Sequence, residues 1–482
     1  MKKQRLKRKI NPYIFRGYDI RGVVGKDLDF DLVKRIAKAY GYMLSQRRIR
    51  EAVVGRDCRK SGEEYMKAVI EGLTESGINV IDLGMCLTQM MYFAQYHYKS
   101  NGGVMLTASH NPAEYNGMKL ALGYSYTLVT EEIQQLKEFV EKQKQVKGAE
   151  PGKAIKAGGL RDNYFADLLK RVKIGKTFKV VVDASSGTAG EFAPDLLKRA
   201  GCEVVGLNCR VDGNFPAGTP DPTEEYILKR LGEKVVNEGA DLGLAFDGDG
   251  DRMGVVDESG RYIWADVLTA IFADDILDFL PGGKIVYNVL CSKVVDEVIA
   301  KKGKSIMWKT GHSFIKDKAA QERAVFGGEL SGHFFFLDNF YGHDDALFAA
   351  LRLLEYLARK GQSFSKIIDS FGTYISSPEI KLGCADDEKV KLVDVKLKAD
   401  LKAAFKTETK KVTTIDGVRL DFADGMLVVR YSQNGPYITV KFEAKEKKAY
   451  QERKQKLREI LEKYSEIEWE GDKGANVEAI KK

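Results

Sequence analysis

Three stretches of this 482-residue chain follow one plan. In the first, Ala52–Val54 runs into the polar loop Gly55–Asp57, then a helical stretch, then Asn79–Leu83. In the second, Val180–Asp183 enters Ser185–Gly190, and a helix leads to Glu203–Leu207. In the third, Lys284–Val289 passes through Cys291–Ser292 to a helix and Ser305–Trp308. Buried strands alternating with amphipathic helices predict βαβ units with parallel strands and right-handed crossovers. One hydrophobic core cannot serve a chain this long, so three units in series predict three related α/β domains. Breaks fall at the Gly/Lys/Pro/Ala stretch Lys147–Lys156, at the turn Asp257–Gly260 and near Ser376–Pro378. The expected domains are therefore 1–150, 157–257, 258–375 and 376–482. The last differs, with short strands Met426–Val429 and Tyr437–Phe442 between Gly-containing turns and a charged helix near Lys445–Tyr464, an α+β module.

Composition narrows the function classes. Hydrophobic residues make up 44% and charged residues 30%, as in an ordinary soluble globular protein. The net charge of +8 is mostly local, because Lys2, Lys3, Arg5, Lys7, Arg8 and Lys9 lie in a tail without acidic residues. That arm reads as a solvated terminus, with an anionic surface or nucleic acid as the alternative. No aromatic-rich basic stripe accompanies it, so no nucleic-acid partner is expected. The six cysteines are scattered without a CxxC pair, the pattern of reduced thiols. No run approaches the roughly 18 apolar residues of a membrane span, and a cytoplasmic location is expected.

Chemistry concentrates in a few polar loops. Thr107-Ala108-Ser109-His110-Asn111-Pro112 sets a hydroxyl beside an imidazole, where the apolar run Gly102–Leu106 empties into a turn. Asp247-Gly248-Asp249-Gly250-Asp251-Arg252 alternates carboxylates with glycines, so a tight loop can aim three oxygens at one hard divalent cation. An EF-hand is excluded, since Arg252 stands where that loop needs glycine and the flanks Leu242–Phe246 and Met253–Val256 read as strands. Gly327-Gly328-Glu329-Leu330-Ser331-Gly332-His333 places Glu, Ser and His on alternate positions, suited to sugar hydroxyls or to a solvated turn. Thr310-Gly311-His312 is a similar glycine-framed loop, and three of the five histidines lie in such loops. Arg430-Tyr431-Ser432-Gln433-Asn434 gathers phosphate-binding donors on a turn, unless it is a decorated hairpin. Phe15-Arg16-Gly17-Tyr18-Asp19-Ile20-Arg21-Gly22 adds two arginines and a tyrosine.

Taken in order, the Tyr18–Gly22 entry, TASHNP, DGDGDR, GELSGH and the C-terminal Arg-x-Ser loop resemble the α-D-phosphohexomutase superfamily, nearest its phosphomannomutase/phosphoglucomutase group. The resemblance covers essentially the whole chain. It implies three mixed α/β domains and a TATA-binding-protein-like fourth around a central cleft. It also implies reversible phosphoryl transfer between positions 1 and 6 of hexose phosphates, through a phosphoserine and a bound hexose 1,6-bisphosphate. In that pattern Ser109 is the phosphoserine and a metal neighbour. Asp247, Asp249 and Asp251 hold Mg²⁺, and His110, Lys119, Arg252, His312 and His333 serve catalysis. Tyr18, Arg21, Glu329, Ser331, Arg430, Ser432, Gln433 and Asn434 face the substrate. Hexose phosphates are the implied partners, the bisphosphate an activator, and the protein a monomer or weak oligomer. Three positions depart from the pattern. Gln433-Asn434 replaces a commoner Asn-Thr, Leu290 stands where a substrate lysine is usual with Lys293 three residues on, and Leu87-Thr88-Gln89 replaces a Thr-Pro pair. A phosphoglucosamine mutase, a non-catalytic sugar-phosphate-binding protein and a phosphatase are the alternatives, the first disfavoured by Leu330.

Overall fold

The computed structural model describes residues 10–146, 148, 150–372, 374–471 and 474–481, so the basic arm at 2–9 lies outside the described residues. Three sheets repeat one strand order. In the first, Glu51–Arg56 lies between Asn79–Met85 and Gly102–Leu106, parallel to both, and Tyr115–Leu122 pairs antiparallel beside Gly102–Leu106. The second repeats this with Lys179–Asp183, Glu203–Leu207, Leu242–Phe246 and antiparallel Met253–Asp257. The third does so with Lys284–Asn288, Lys304–Trp308, Phe326–Gly328 and antiparallel Phe334–Phe336. The connection from the third strand to its antiparallel neighbour is thus the same place in all three domains. It carries TASHNP in the first, DGDGDR in the second and GELSGH in the third.

The central strands read as continuous apolar runs because helices cover both faces. Successive side chains point oppositely, so Ala52 and Val54 join the core under helices Phe30–Gln46 and Gly62–Thr74. Val53 joins a second core with helix Thr88–Tyr98, and that core runs without a break through the second and third domains. The first three domains are therefore fastened by shared apolar packing.

One element departs from the sequence reading. Ala154–Lys156, inside the expected linker, pairs parallel with Asn79–Met85 as an edge strand of the first sheet. Its exposed Ala-Ile-Lys carries no alternation that would have marked it.

The C-terminal module is an antiparallel sheet built around Tyr437–Ala444 and Gly425–Tyr431, with helix Lys447–Leu461 packed on one side. Met426 and Val428 face the other way, into the core shared by the first three domains. Arg419 fixes the approach, donating from Nη1 to the carbonyls of Val289 (2.7 Å) and Cys291 (2.5 Å).

Candidate active site

Ser109 is buried and holds φ +51°, a left-handed conformation that a non-glycine residue adopts at a cost of about 1–3 kcal/mol. Arg59 holds this turn. Its guanidinium donates to the carbonyls of Ser109 (2.8 Å), Asn111 (2.6 Å), Pro112 (2.6 Å) and Tyr115 (2.9 Å), and its Nε donates to Asp57 at 3.1 Å. Arg21 braces the loop from another side, donating to the Asn111 side chain at 2.7 Å and the Ala108 carbonyl at 3.3 Å. Sequence reasoning placed Arg21 beside substrate and passed over Arg59. The neighbouring Gly55-Arg56-Asp57 loop gave only an ordinary turn signal.

The second loop meets the serine directly. The Ser109 hydroxyl donates to Asp247 Oδ2 at 2.8 Å and sits 3.2 Å from His110 Nδ1. Gly248 permits the approach, because a Cβ there would stand 2.5 Å from the Ser109 carbonyl oxygen. Gly250, at φ +76°, turns the loop so that the three aspartates converge. Asp247, Asp249 and Asp251 are wholly buried, and their ligand oxygens lie within 4.8 Å of one another. Asp249 Oδ1 is buried without a hydrogen-bond partner, and Asp251 Oδ1 faces only His333 Nε2 at 3.2 Å, so this donor set fits a hard divalent cation.

The opposite oxygens are occupied. Lys119 Nζ donates to Asp249 (2.8 Å) and Asp251 (2.5 Å), and the Thr88 hydroxyl donates to Asp249 at 2.6 Å. Gln89 donates to the Gly250 carbonyl at 2.7 Å. The Thr88-Gln89 departure, whose consequence the sequence did not reveal, is thus a support for the aspartate loop.

The third loop closes the same side. Glu329 accepts from the Gly311 N–H at 2.7 Å and lies 3.3 Å from His333 Nδ1, which is 3.1 Å from the Ser331 hydroxyl. His333 Nε2 stands 3.2 Å from Asp251. Burial opposes charge on His333, but Asp251 and then Glu329 outweigh it and hold the imidazole up to about 9. His110 is pushed the other way, well below the usual histidine range, first by burial and then by Arg252. Arg252 lies over the loop with Nε 4.0 Å from Asp247 and no hydrogen-bond partner on that atom.

His312 falls behind the cleft wall, edge-on to Tyr18 with ring centroids 4.7 Å apart and Nδ1 3.5 Å from Asp344. Asp344, which no motif marked, also takes Lys316 at 3.2 Å.

Across the cleft, Arg430 is buried with Nε on Asp416 at 2.7 Å. The Ser432 hydroxyl accepts the N–H groups of Asn434 and Gly435, each at 3.1 Å, which shapes the loop. Asn434 reaches the Tyr18 hydroxyl, and the Gly17 N–H donates to the Gln433 carbonyl at 3.4 Å. Tyr18, His110, Arg252, Ser331, His333 and Arg430 are among the walls of one narrow cleft.

Leu290 is a buried core residue, and Lys293 points away from the cleft, donating to the Phe422 carbonyl at 2.5 Å. The Ser185–Gly190 turn holds Ser185 and Ser186 at positive φ (+47° and +59°), and the N–H groups of Ser185, Ser186 and Gly187 all go to protein acceptors. The turn is therefore satisfied within the protein, as an ordinary strand-to-helix loop is.

Family models describing phosphoglucomutase/phosphomannomutase alpha/beta/alpha domains I, II and III match residues 12–147, 162–260 and 264–374. The corresponding C-terminal-domain model matches 379–460. A phosphomannomutase/phosphoglucomutase of Pseudomonas putida is 41% identical over 89% of this chain and 91% of its own length. A phosphoglucomutase of Neisseria gonorrhoeae is 38% identical over 95% and 98%. A crystal structure of a phosphoglucomutase/phosphomannomutase family protein from Burkholderia thailandensis superposes with TM-score 0.86 at 35% identity, over 94% of this chain and 98% of that one.

Proposed function

The chain belongs to the phosphoglucomutase/phosphomannomutase family, and from that premise we propose what each loop does in moving a phosphoryl group on hexose phosphates. The observation that carries the reading is the meeting of three hairpin loops, one from each α/β domain, on the aspartate cluster that Ser109 and His333 both touch. Phosphoryl transfer needs positioning and charge stabilisation more than covalent ingenuity, and this cluster supplies both. The three aspartates would hold Mg²⁺, which supplies positive charge beside the oxygens of the phosphoryl in flight.

The protein groups account for the rest. Phospho-Ser109 gives its phosphoryl to a sugar hydroxyl: the Oγ–P bond breaks, the sugar O–P bond forms, and the hydroxyl proton leaves to a base. The sugar then presents its other phosphate, and the reverse step restores phospho-Ser109 with a mutated hexose phosphate as product. His110, 3.2 Å from the Ser109 hydroxyl, and His333, set between Asp251 and Glu329, are placed to move the sugar hydroxyl's proton. Reversibility makes the donor of one half-reaction the acceptor of the return. Lys119 and Arg252 bring cationic charge to the transferring group. Glu329, fixed by the Gly311 N–H and His333, and Ser331 would hold sugar hydroxyls. Arg430, Ser432, Gln433 and Asn434 would hold the idle phosphate beside Tyr18.

Hexose 1,6-bisphosphate would prime the serine, and we place the domain limits near 156, 257 and 375, the first moved past the edge strand 154–156. Among the described residues no helix is long and apolar enough to cross a membrane. Coupled assays with glucose 1-phosphate and mannose 1-phosphate, each with catalytic bisphosphate, test the reading. Both should turn over, and galactose 1-phosphate should be poorer by up to roughly 10⁴-fold, since inverting hydroxyl 4 leaves a buried polar partner unpaired. Release of inorganic phosphate in place of the isomer would mark a phosphatase.

A further inference from the structure

One ammonium in the cleft wall has no role in the scheme above. Lys381 lies on the strand Ile380–Gly383, next to the strand that leaves the Ser432 loop, with Cα paired to Thr439. Its backbone is fixed on the other edge as well, exchanging hydrogen bonds with Ala475 at 2.9 and 3.0 Å. The side chain lines the same cleft as Arg430 and Ser432 and reaches over to the second domain, where Nζ lies 3.4 Å from Asp221 Oδ2. That is the one hydrogen bond Nζ makes among the described residues, although an ammonium can donate three. Asp221 itself is anchored, its Oδ1 accepting from the Thr223 N–H (3.1 Å) and hydroxyl (2.7 Å).

Among the neighbouring cations of the fourth domain, Arg430 keeps its two terminal nitrogens for the phosphate, while the lysines are tied to protein acceptors. Arg430 spends Nε on Asp416, Lys293 is bound to the backbone at Phe422, and Lys389 donates to Asp386 (2.5 Å) and Gly435 (2.8 Å). Lys381 combines a rigid backbone, a flexible stem and one long hydrogen bond, with Nζ 6.0 Å from the centre of the Tyr437 ring as its other neighbour.

Resting on the mutase reading of this cleft, we propose that Lys381 is a phosphate-binding residue that exchanges its Asp221 partner for the idle phosphate of the sugar. A phosphate monoester carries close to two negative charges on three acceptor oxygens, against one charge on the carboxylate, and so competes well for the ammonium. The idle phosphate sits on carbon 6 in one half-reaction and carbon 1 in the other. Its position shifts between them, which suits a point charge on a four-carbon stem better than a planar fork. The pair also joins the second domain to the fourth across the cleft mouth, so the exchange couples phosphate arrival to release of that tie.

Lys381→Gln retains length and hydrogen bonding but loses the charge. It is expected to raise KM for glucose 1-phosphate and mannose 1-phosphate about tenfold, as for loss of one charge-assisted contact. kcat should stay within about threefold and the phosphoryl content of Ser109 should match wild type. Lys381→Arg should recover most of the loss, and Lys381→Met provides a second uncharged variant if the glutamine protein is unstable. Direct binding of glucose 1-phosphate to the unphosphorylated enzyme, read by calorimetry, should weaken in parallel. A KM within twofold of wild type in a protein that melts normally would overturn the proposal, as would a fall in kcat with KM unchanged. Arg430→Ala is the control for the parent reading: if it also leaves KM unmoved, the phosphate site itself is misplaced, not merely Lys381.

Discussion

The two ends of the cleft are built on different terms. At the serine end, polar atoms are tied by short contacts, across domains from Ser109 to Asp247, Lys119 to two aspartates and Thr88 to Asp249, and within the first domain from Arg59 to four carbonyls of one loop. At the phosphate end, the Ser432 loop is shaped mostly by its own turn and touches the first domain through Asn434, Gln433 and little else. The first end must place a reacting phosphorus to within a fraction of an ångström, and misplacement is expensive. The second must accept a phosphate from either end of the sugar. Rigid, densely cross-linked polar networks serve the first task, while sparse and adaptable contacts serve the second.

Substitutions at the two ends should therefore fail differently. The largest effect is expected at Arg59. Arg59→Lys keeps the charge opposite Asp57 but offers three donors where five contacts stood. Turnover should fall about 10²-fold with KM nearly unchanged, and a KM-only effect would erase the contrast between the ends. Asp249→Asn comes next, removing one anionic ligand from a local loop. The Mg²⁺ concentration for half-activation should rise at least about tenfold without a matching loss of melting temperature; an unmoved magnesium curve would place the metal elsewhere.

Smaller effects test the other end and the scaffold. Asn434→Ala should cost roughly threefold to fivefold in KM and spare kcat. Asp345 caps helix Ala346–Lys360 and receives the Tyr164 hydroxyl, yet burial raises its carboxyl to about 7. Unfolded, it would ionise near pH 4. The folded chain therefore binds the extra proton between those values, and this group's contribution to stability falls as pH rises from about 4 to about 7. Asp345→Asn, still a competent cap, should flatten that part of the melting-temperature profile. An unchanged profile would show that Asp345 ionises normally.

How far the sequence reached depended on whether a signal was local. The strand Leu242–Phe246 and the strand–loop–helix plan were visible, because burial on both faces writes itself as an apolar run. The three catalytic loops were visible too, since each packs its glycines and donors into a few residues. Ala154–Lys156 was missed because three exposed edge residues carry no pattern. Arg59 and Lys381 were missed for another reason. Their roles arise from partners 50 and 160 positions away, and nothing next to either residue announces them. His312 shows the converse, a conspicuous loop residue that the fold sets behind Tyr18.

The central claim is that the phosphoryl group resides on Ser109 between the two half-reactions. Incubating the enzyme with catalytic hexose 1,6-bisphosphate and Mg²⁺, then measuring intact mass and mapping the peptide that contains residues 107–112, tests it directly. A gain of about 80 Da, the phosphoryl increment, should localise to Ser109 and disappear in Ser109→Ala together with at least about 10²–10³-fold of the turnover. An unmodified Ser109 in a fully active enzyme, or full activity in Ser109→Ala, would contradict it.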